Sequence, residues 1–157
     1  MNAKQLLGEY ECKIDAKGRM RLPSGLIAQL GQEADALTFV MNRGFEQCLM
    51  LYPEPVWDRI TNEINQLNLY NKKNRAFVRY FYRGAQKLSM DSADRILVSK
   101  RLLEYAGIDK EVILSAYNDR IEIWAVDQYE SLLDEEPEDF SDLAQEVLGN
   151  ADGKEGL

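Results

Sequence analysis

The chain repeats itself, and this internal duplication constrains its fold more than any other feature of the sequence. Shifting the 157 residues by 76 positions aligns identical residues of the two halves: Gly8 with Gly84, Asp15 with Asp91, Arg19 with Arg95, Leu26 with Leu102 and Gly31 with Gly107. Further along, a shift of 72 positions aligns Leu49 with Ile121, Leu51 with Ile123 and Tyr52 with Trp124. Matches at this density indicate two copies of one supersecondary unit, the first with about four extra residues in one loop.

Each copy has the same predicted order of elements. Residues 9–14 alternate polar and apolar side chains, which is typical of a half-buried strand with Tyr10, Cys12 and Ile14 facing inward. Asp15 and Gly18 predict a tight turn, because aspartate bonds to its own backbone two residues on and glycine accepts a positive φ. A second short strand, a short helix after residue 23 and a strand pair at 37–41 and 48–52 complete the unit.

The segments outside the two copies are predicted to be helical. Apolar residues recur at helical spacing after residue 55, and again over 72–83, where Arg75, Arg79 and Arg83 follow one side. We therefore expect an α+β protein divided into a first repeat at 8–54, a helical linker at 55–83, a second repeat at 84–127 and an acidic helical tail at 128–157.

Composition excludes several classes of protein. The chain has no histidine, which removes His-based acid–base catalysis and most zinc sites. Since the sequence also lacks a phosphate-binding glycine-rich loop and a metal-ligand cluster, we expect no catalytic site, no metal and no cofactor. Cys12 and Cys48 are predicted to be buried thiols. The longest apolar runs have four to six residues, so we expect no membrane span, and with no export signal we expect a cytoplasmic protein.

The charge of the chain is unevenly distributed. The formal net charge is −8, yet residues 70–101 carry nine Lys/Arg against two Asp/Glu, and residues 127–157 carry one against eleven. Binding depends on local charge rather than on the sum, so an acidic tail does not exclude a polyanionic partner for the basic segments.

The turn sequences resemble a known signature. Asp15-Ala16-Lys17-Gly18-Arg19 with Pro23 behind it, repeated as Asp91-Ser92-Ala93-Asp94-Arg95, resembles that of the MraZ family, bacterial transcription regulators related to AbrB and SpoVT. The resemblance covers nearly the whole chain. It implies that the two repeats interleave as swapped hairpins in one small β-barrel and that several chains close into a ring. It also implies binding to repeated promoter elements, and control of the division and cell-wall gene cluster, including the protein's own operon.

The residues of the first hairpin lead to DNA independently. Lys13, Arg19 and Arg21 are predicted to share its outward face with Lys17 at the tip, so that four cations project from a two-stranded ribbon of a size that fits a major groove. These four residues are the predicted contacts to double-stranded DNA, and the protein is expected to associate with the nucleoid. No small-molecule substrate is expected.

The second copy departs from this pattern. Its aligned positions carry Ser89 for Lys13, Ala93 for Lys17, Asp94 for Gly18 and Leu97 for Arg21. Aspartate tolerates the left-handed conformation of the turn, but it brings a negative charge to the tip. We therefore predict that the first hairpin contacts DNA and that the second mainly completes the fold, with Asp15, Gly18, Asp91 and Asp94 forming the turns.

Four alternatives stay open on the sequence. Arg19 pairs with Asp15 across its own turn instead of contacting DNA. The second alternative concerns the arginines of 72–83, which form a solvated face, a subunit interface or a contact to the acidic 134–142 segment. The third concerns the acidic tail, which is either a solubilising surface or a competitor of DNA for the basic hairpin. In the last alternative, the whole protein is a protein-interaction scaffold or antitoxin-like barrel, and its DNA affinity is incidental.

Overall fold

The computed structural model describes residues 5–31, 38–135 and 139–149 of the chain. Residue 37, where we predicted a strand to begin, and residues 136–138 and 150–157 of the predicted tail lie outside the described residues. The predicted α+β class is confirmed, since strands and helices alternate along the chain.

The elements of the two repeats follow the same order. The first repeat contains four strands and one helix, in the order β1 (Leu6–Lys13), β2 (Arg19–Arg21), α1 (Ser24–Leu30), β3 (Thr38–Arg43) and β4 (Leu49–Pro53). Two helices follow, α2 (Glu54–Ile64) and α3 (Lys72–Tyr82). The second repeat contains β5 (Gln86–Ser89), β6 (Arg95–Leu97), α4 (Lys100–Ala106), β7 (Glu111–Asn118) and β8 (Arg120–Ala125). Two more helices are α5 (Val126–Asp134) and α6 (Phe140–Leu148).

Sequence explains where several helices begin. Helices α1 and α2 begin directly after the N-cap residues Pro23 and Pro53, and Pro55 lies in the first turn of α2, where the fixed φ of proline suits a helix. The side chain of Asn71 accepts hydrogen bonds from the backbone N–H groups of Lys73 and Asn74, so it caps α3. Ser99 caps α4 in the same way, through the N–H of Leu102.

Strands of the two repeats pair with each other. A six-stranded antiparallel sheet has the order β1-β7-β8-β4-β3-β5, so the first strand of each repeat lies beside the third strand of the other. The second strands, β2 and β6, form a separate two-stranded sheet in which Met20 pairs with Ile96. Neither half therefore forms its own complete sheet, and the two repeats make one folding unit.

Two expectations about the strands were wrong. The structure has an open six-stranded sheet with β1 and β5 at its edges, and not one closed barrel. The first hairpin is not an isolated two-stranded ribbon either, because β1 pairs along its whole length with β7 and meets β2 only through the Ile14–Met20 bridge. The alternation of β1 predicted its buried face correctly, but it carries no information on the strand partner.

Hydrophobic residues cover both faces of the six-stranded sheet. On one face, Phe39, Leu51 and Ile123 pack with Met20 and Ile96 of the two-stranded sheet and with helices α1 and α4. On the other face lies a second cluster built largely of aromatic residues from β4, α2, α3 and β8: Tyr52, Trp57, Phe81 and Trp124. Trp57 stacks on Phe81 with their ring centroids 5.2 Å apart, so this cluster fixes helices α2 and α3 to the sheet. None of the helices within the described ranges is long and apolar enough to cross a membrane.

Candidate nucleic-acid interface

The first turn is built around the side chain of Asp15. Its Oδ1 accepts hydrogen bonds from the backbone N–H groups of Lys17 and Arg19, both at 2.9 Å. Its Oδ2 accepts a bond from Arg19 Nε at 2.8 Å, and Gly18 N donates to the Asp15 carbonyl at 3.0 Å. Gly18 has a φ of +86°, a conformation in which glycine is the least strained residue. These hydrogen bonds to Asp15 fix the backbone of the turn at Lys17 and at the two residues after it.

The second turn has the same geometry with different side chains. Asp91 Oδ1 accepts from the N–H groups of Ala93 and Arg95 at 2.8 and 2.9 Å, and its Oδ2 accepts from Arg95 Nε at 2.9 Å. Asp94 occupies the left-handed position with a φ of 62°. The aspartate–arginine pair therefore belongs to the architecture of both turns, whatever the charge at their tips.

Hydrogen bonding sets the ionisation of the two turn aspartates. The backbone N–H of Arg19, and also its side chain, stabilise the Asp15 carboxylate and lower its pKa below the ordinary value. The backbone and side chain of Arg95 lower the pKa of Asp91 in the same way. Both carboxylates are consequently charged at neutral pH, and each holds its arginine.

Each turn is bonded to the other repeat. The Gly18 carbonyl accepts a hydrogen bond from Val98 N at 2.8 Å, and the Asp94 carbonyl accepts one from Leu22 N at 2.9 Å. A Cβ at residue 18 would lie 2.8 Å from the Val98 carbonyl oxygen, so a side chain cannot be accommodated there without movement of the backbone. The two turns are held rigidly against the segments that begin α4 and α1.

The sheet between the turns has a basic outer face. Met20 and Ile96 point inward and are completely buried, while Arg19, Arg21 and Arg95 occupy the outward positions. Arg21 pairs in register with Arg95, and its Nε donates to the Ala93 carbonyl at 3.1 Å. Three guanidinium groups therefore lie on one short two-stranded sheet, each with its Nε bonded within the protein.

The predicted contact residues lie at different places on this surface. Lys17 is exposed at the tip of the first turn, Arg21 is exposed on the outer face, and Arg19 is half-buried against Asp15. Lys13 is exposed but belongs to β1 in the larger sheet, directly across from Glu111 of β7. The prediction that all four cations share one ribbon was therefore wrong, since Arg19 and Arg21 lie on the smaller sheet.

Three further cations near the turns were missed by sequence reasoning. Arg95 lies on the outer face beside Arg21, and the alignment of Arg95 with Arg19 was the signal that pointed to it. Lys100 and Arg101 are exposed in α4, the helix whose Leu103 lies 3.8 Å from a Cβ built on Gly18. No pattern within a single repeat predicts this proximity, because α4 comes from the other copy.

The two turns consequently differ in charge both at their tips and on the helices beside them. Lys17 at the first tip has Lys100 and Arg101 on the adjacent helix, whereas Asp94 at the second tip lies beside the start of α1. The residues of α1 that align with Lys100 and Arg101 are neutral, Ser24 and Gly25. The first turn therefore has the more basic tip and the more basic adjacent helix, while Arg21 is bonded beside the second turn. The basic side of this surface is suited to a phosphate backbone.

The two cysteines are free thiols; Cys48 is buried as predicted, whereas Cys12 is only half-buried. Removal of water raises the pKa of Cys12 to about 11 and that of Cys48 to about 12, so both are protonated at neutral pH. Among the residues that the structure describes, no group of three or more Cys, Asp or Glu side chains is placed to hold a metal ion.

Comparison with known proteins agrees with the duplicated fold. The family described as "MraZ protein, putative antitoxin-like" matches the chain twice, at residues 5–80 and 81–151. A transcriptional regulator MraZ of Christiangramia forsetii is 42% identical over 147 residues, which cover 94% of this chain and 95% of that protein. Proteins of the same name from Flavobacterium psychrophilum and Cytophaga hutchinsonii are 42% and 36% identical over 151 and 141 residues; the matches cover 96% and 90% of this chain and 96% and 93% of those proteins.

The duplicated α+β fold and the near full-length similarity to these relatives place the chain in a class of transcription regulators. Within that class, the two family matches and the near full-length identity are decisive. The chain belongs to the MraZ family.

Proposed function

We propose that this protein is a sequence-specific transcription regulator that binds double-stranded DNA through the surface around its first turn. The observation that carries the proposal is that the first turn, with Lys17 exposed at its tip, is bonded to the segment that begins α4, where Lys100 and Arg101 are exposed. Compact lysine charges suit phosphates, and the planar guanidinium groups of the neighbouring sheet suit phosphates or guanine edges. The names of the relatives, transcriptional regulators, support the same role.

The proposed targets are repeated promoter elements, bound by a homo-oligomeric ring of this chain. We propose that the ring controls the division and cell-wall gene cluster, including its own operon, in association with the nucleoid in the cytoplasm. One basic turn offers few contacts, whereas several turns in one assembly multiply their affinity through effective concentration. The exchange of strands between the repeats fits the AbrB-like swapped-hairpin arrangement that we propose for this fold.

Within this proposal, the contact residues have different roles. Lys17 and Arg21 are the exposed cations, and Lys13 adds positive charge beside the turn. The Nε of Arg19 is used by Asp15, which leaves its two terminal amino groups to reach DNA from a fixed position. The second turn, with Asp94 at its tip, mainly completes the fold.

A salt titration of binding tests the role of the basic surface. We expect the Lys17→Ala, Lys100→Ala double variant to bind promoter duplexes more weakly. Its plot of log affinity against log salt should be shallower by about 0.9 for each phosphate that the variant no longer neutralises. Lys72→Ala with Lys73→Ala removes two exposed lysines of α3 and serves as the matched control. Equal weakening of DNA binding in the two variants would overturn the assignment of the site.

Replacing Arg19 with alanine separates its two roles when binding and assembly mass are measured on the same sample. An intact assembly that no longer binds supports a DNA contact, whereas a broken assembly supports a purely structural pair with Asp15. Promoter and scrambled duplexes are compared throughout. Equal affinity for both would favour the alternative of a protein-interaction scaffold or antitoxin-like protein and would overturn sequence-specific regulation.

A further inference from the structure

Helix α3 leaves an aromatic surface uncovered. Phe77 and Tyr80, one turn apart on this helix, are 40% and 65% exposed. Together with Arg43 and Phe45 they border a groove of about 320 Å³, and Phe45 itself is 87% exposed. Exposed apolar patches of this kind, bordered by charge, mark surfaces that bind another protein.

The groove contains the positive charge of Arg43. The guanidinium carbon of Arg43 lies 4.7 Å from the ring centroid of Tyr105 and 5.6 Å from that of Tyr80. Its Nε is buried and so does not reach a partner, but the residue lines the groove. The charge of the guanidinium group therefore makes the groove suited to an acidic partner.

Positive charge lies along the side of this surface. Residues 72–83 contain five Lys or Arg and no Asp or Glu, and none of these five takes part in the ion pairs formed within the described part of the chain. Arg79 and Arg83 are exposed and follow the flank of α3 next to Tyr80. The partner of this surface should therefore combine apolar and acidic side chains.

Helix α6 has the complementary pattern. Phe140, Leu143 and Val147 lie on one side of it and are 75%, 38% and 56% exposed, and the helix buries none of its residues. Asp142 and Glu146 occupy the flank next to Leu143, and residues 139–149 contain no cation. Apolar residues beside an acidic flank match the aromatic residues and basic flank of α3.

We infer that α6 of one copy packs on the groove and helix α3 of a second copy. Both surfaces are exposed, so the described residues of the same chain leave both of them uncovered. A second copy supplies the apolar side chains for Phe77 and Tyr80 and the carboxylates for Arg79 and Arg83. This inference rests on the homo-oligomer of the proposed function and identifies one contact that builds it.

Charge exchange on the full-length protein tests the contact. Asp142→Lys with Glu146→Lys, and separately Arg79→Glu with Arg83→Glu, should each lower the mass of the assembly measured by sedimentation at a concentration where the wild type is assembled. Mixing the two variants, or combining all four substitutions in one chain, should restore the wild-type mass, because each interface then again joins opposite charges. Restoration also shows that the variants are folded.

Glu130→Lys with Asp134→Lys on α5 is the matched control, since it makes the same change in charge at the same spacing, and it should retain the assembly. The inference is overturned if the Asp142/Glu146 variant keeps the wild-type mass, or if mixing does not restore a lowered mass. Neither result bears on the proposed DNA-binding function. An Arg79/Arg83 variant that keeps its mass but loses DNA affinity also overturns it and assigns α3 to DNA. A monomeric wild type would refute the proposed oligomer together with this contact.

Discussion

Replacing Gly18 with alanine tests how the first turn is locked to the second repeat. The new Cβ would lie 2.8 Å from the Val98 carbonyl oxygen, and the residue would keep a φ of +86°. The left-handed conformation costs an L-residue about 1–2 kcal/mol. Moving the backbone to relieve the clash weakens the 2.8 Å bond from Val98 N to the Gly18 carbonyl, which costs about 1 kcal/mol more. We expect the free energy of unfolding to fall by about 2–3 kcal/mol.

The equivalent position in the second turn provides the control. Asp94 already holds a left-handed φ of 62° with a side chain present, so Asp94→Ala should cost less than half as much as Gly18→Ala. Urea unfolding at one protein concentration, followed by tryptophan fluorescence, measures both changes in stability. For a chain of this size the Gly18→Ala change corresponds to a fall of about 4–12 °C in Tm. Equal stability of the two variants would refute the close contact between Gly18 and Val98.

Other consequences concern ionisation, thiol reactivity and charge. Because hydrogen bonds lower the pKa of Asp15 in the folded state, its contribution to stability is present above the unfolded pKa of about 4 and is lost as the pH falls through the folded pKa. Thermal melts from pH 6 to 2 should therefore fall less steeply for Asp15→Asn than for the wild type. The raised pKa values of the half-buried Cys12 and the buried Cys48 predict slow reaction of both thiols with a disulfide reagent at pH 8 until the protein is unfolded; rapid labelling of both thiols in the native protein would contradict these raised pKa values. Ala93→Lys with Asp94→Gly gives the second turn the tip of the first, and should steepen the salt dependence of DNA binding by about 0.9 for each additional phosphate neutralised; an unchanged slope would show that the second turn does not reach DNA.

Local sequence patterns predicted the elements well because local interactions determine them. The helix expected over 72–83 is observed at Lys72–Tyr82, and the strand expected at 48–52 is observed at Leu49–Pro53. Alternation at period two also predicted that Ile14 is buried while Lys13 is exposed. Each of these results depends only on residues that are close to one another in the sequence.

Strand partners could not be predicted in the same way. The Asp15 turn favours a hairpin of β1 with β2, but only Ile14 and Met20 bridge these strands. The eight residues of β1 pair instead with β7, about a hundred positions away in sequence. That choice is made by the packing of both repeats around one core, with Met20 and Ile96 at its centre, and no local pattern encodes it.

The exchange of strands also explains why the sequence predicted only some of the residues of the candidate site. Each turn is bonded to the segment that begins a helix of the other copy, so the residues around Lys17 come from both repeats. The residues that build the turn geometry are the same in both copies, as at Arg19 and Arg95, while the residues that set the local charge differ, as at Lys17 and Ala93. Geometry and charge are therefore separable properties of this surface. An assembly of such chains would present one basic turn per chain and not one per repeat, and any repeated contact with DNA would follow the spacing between whole chains.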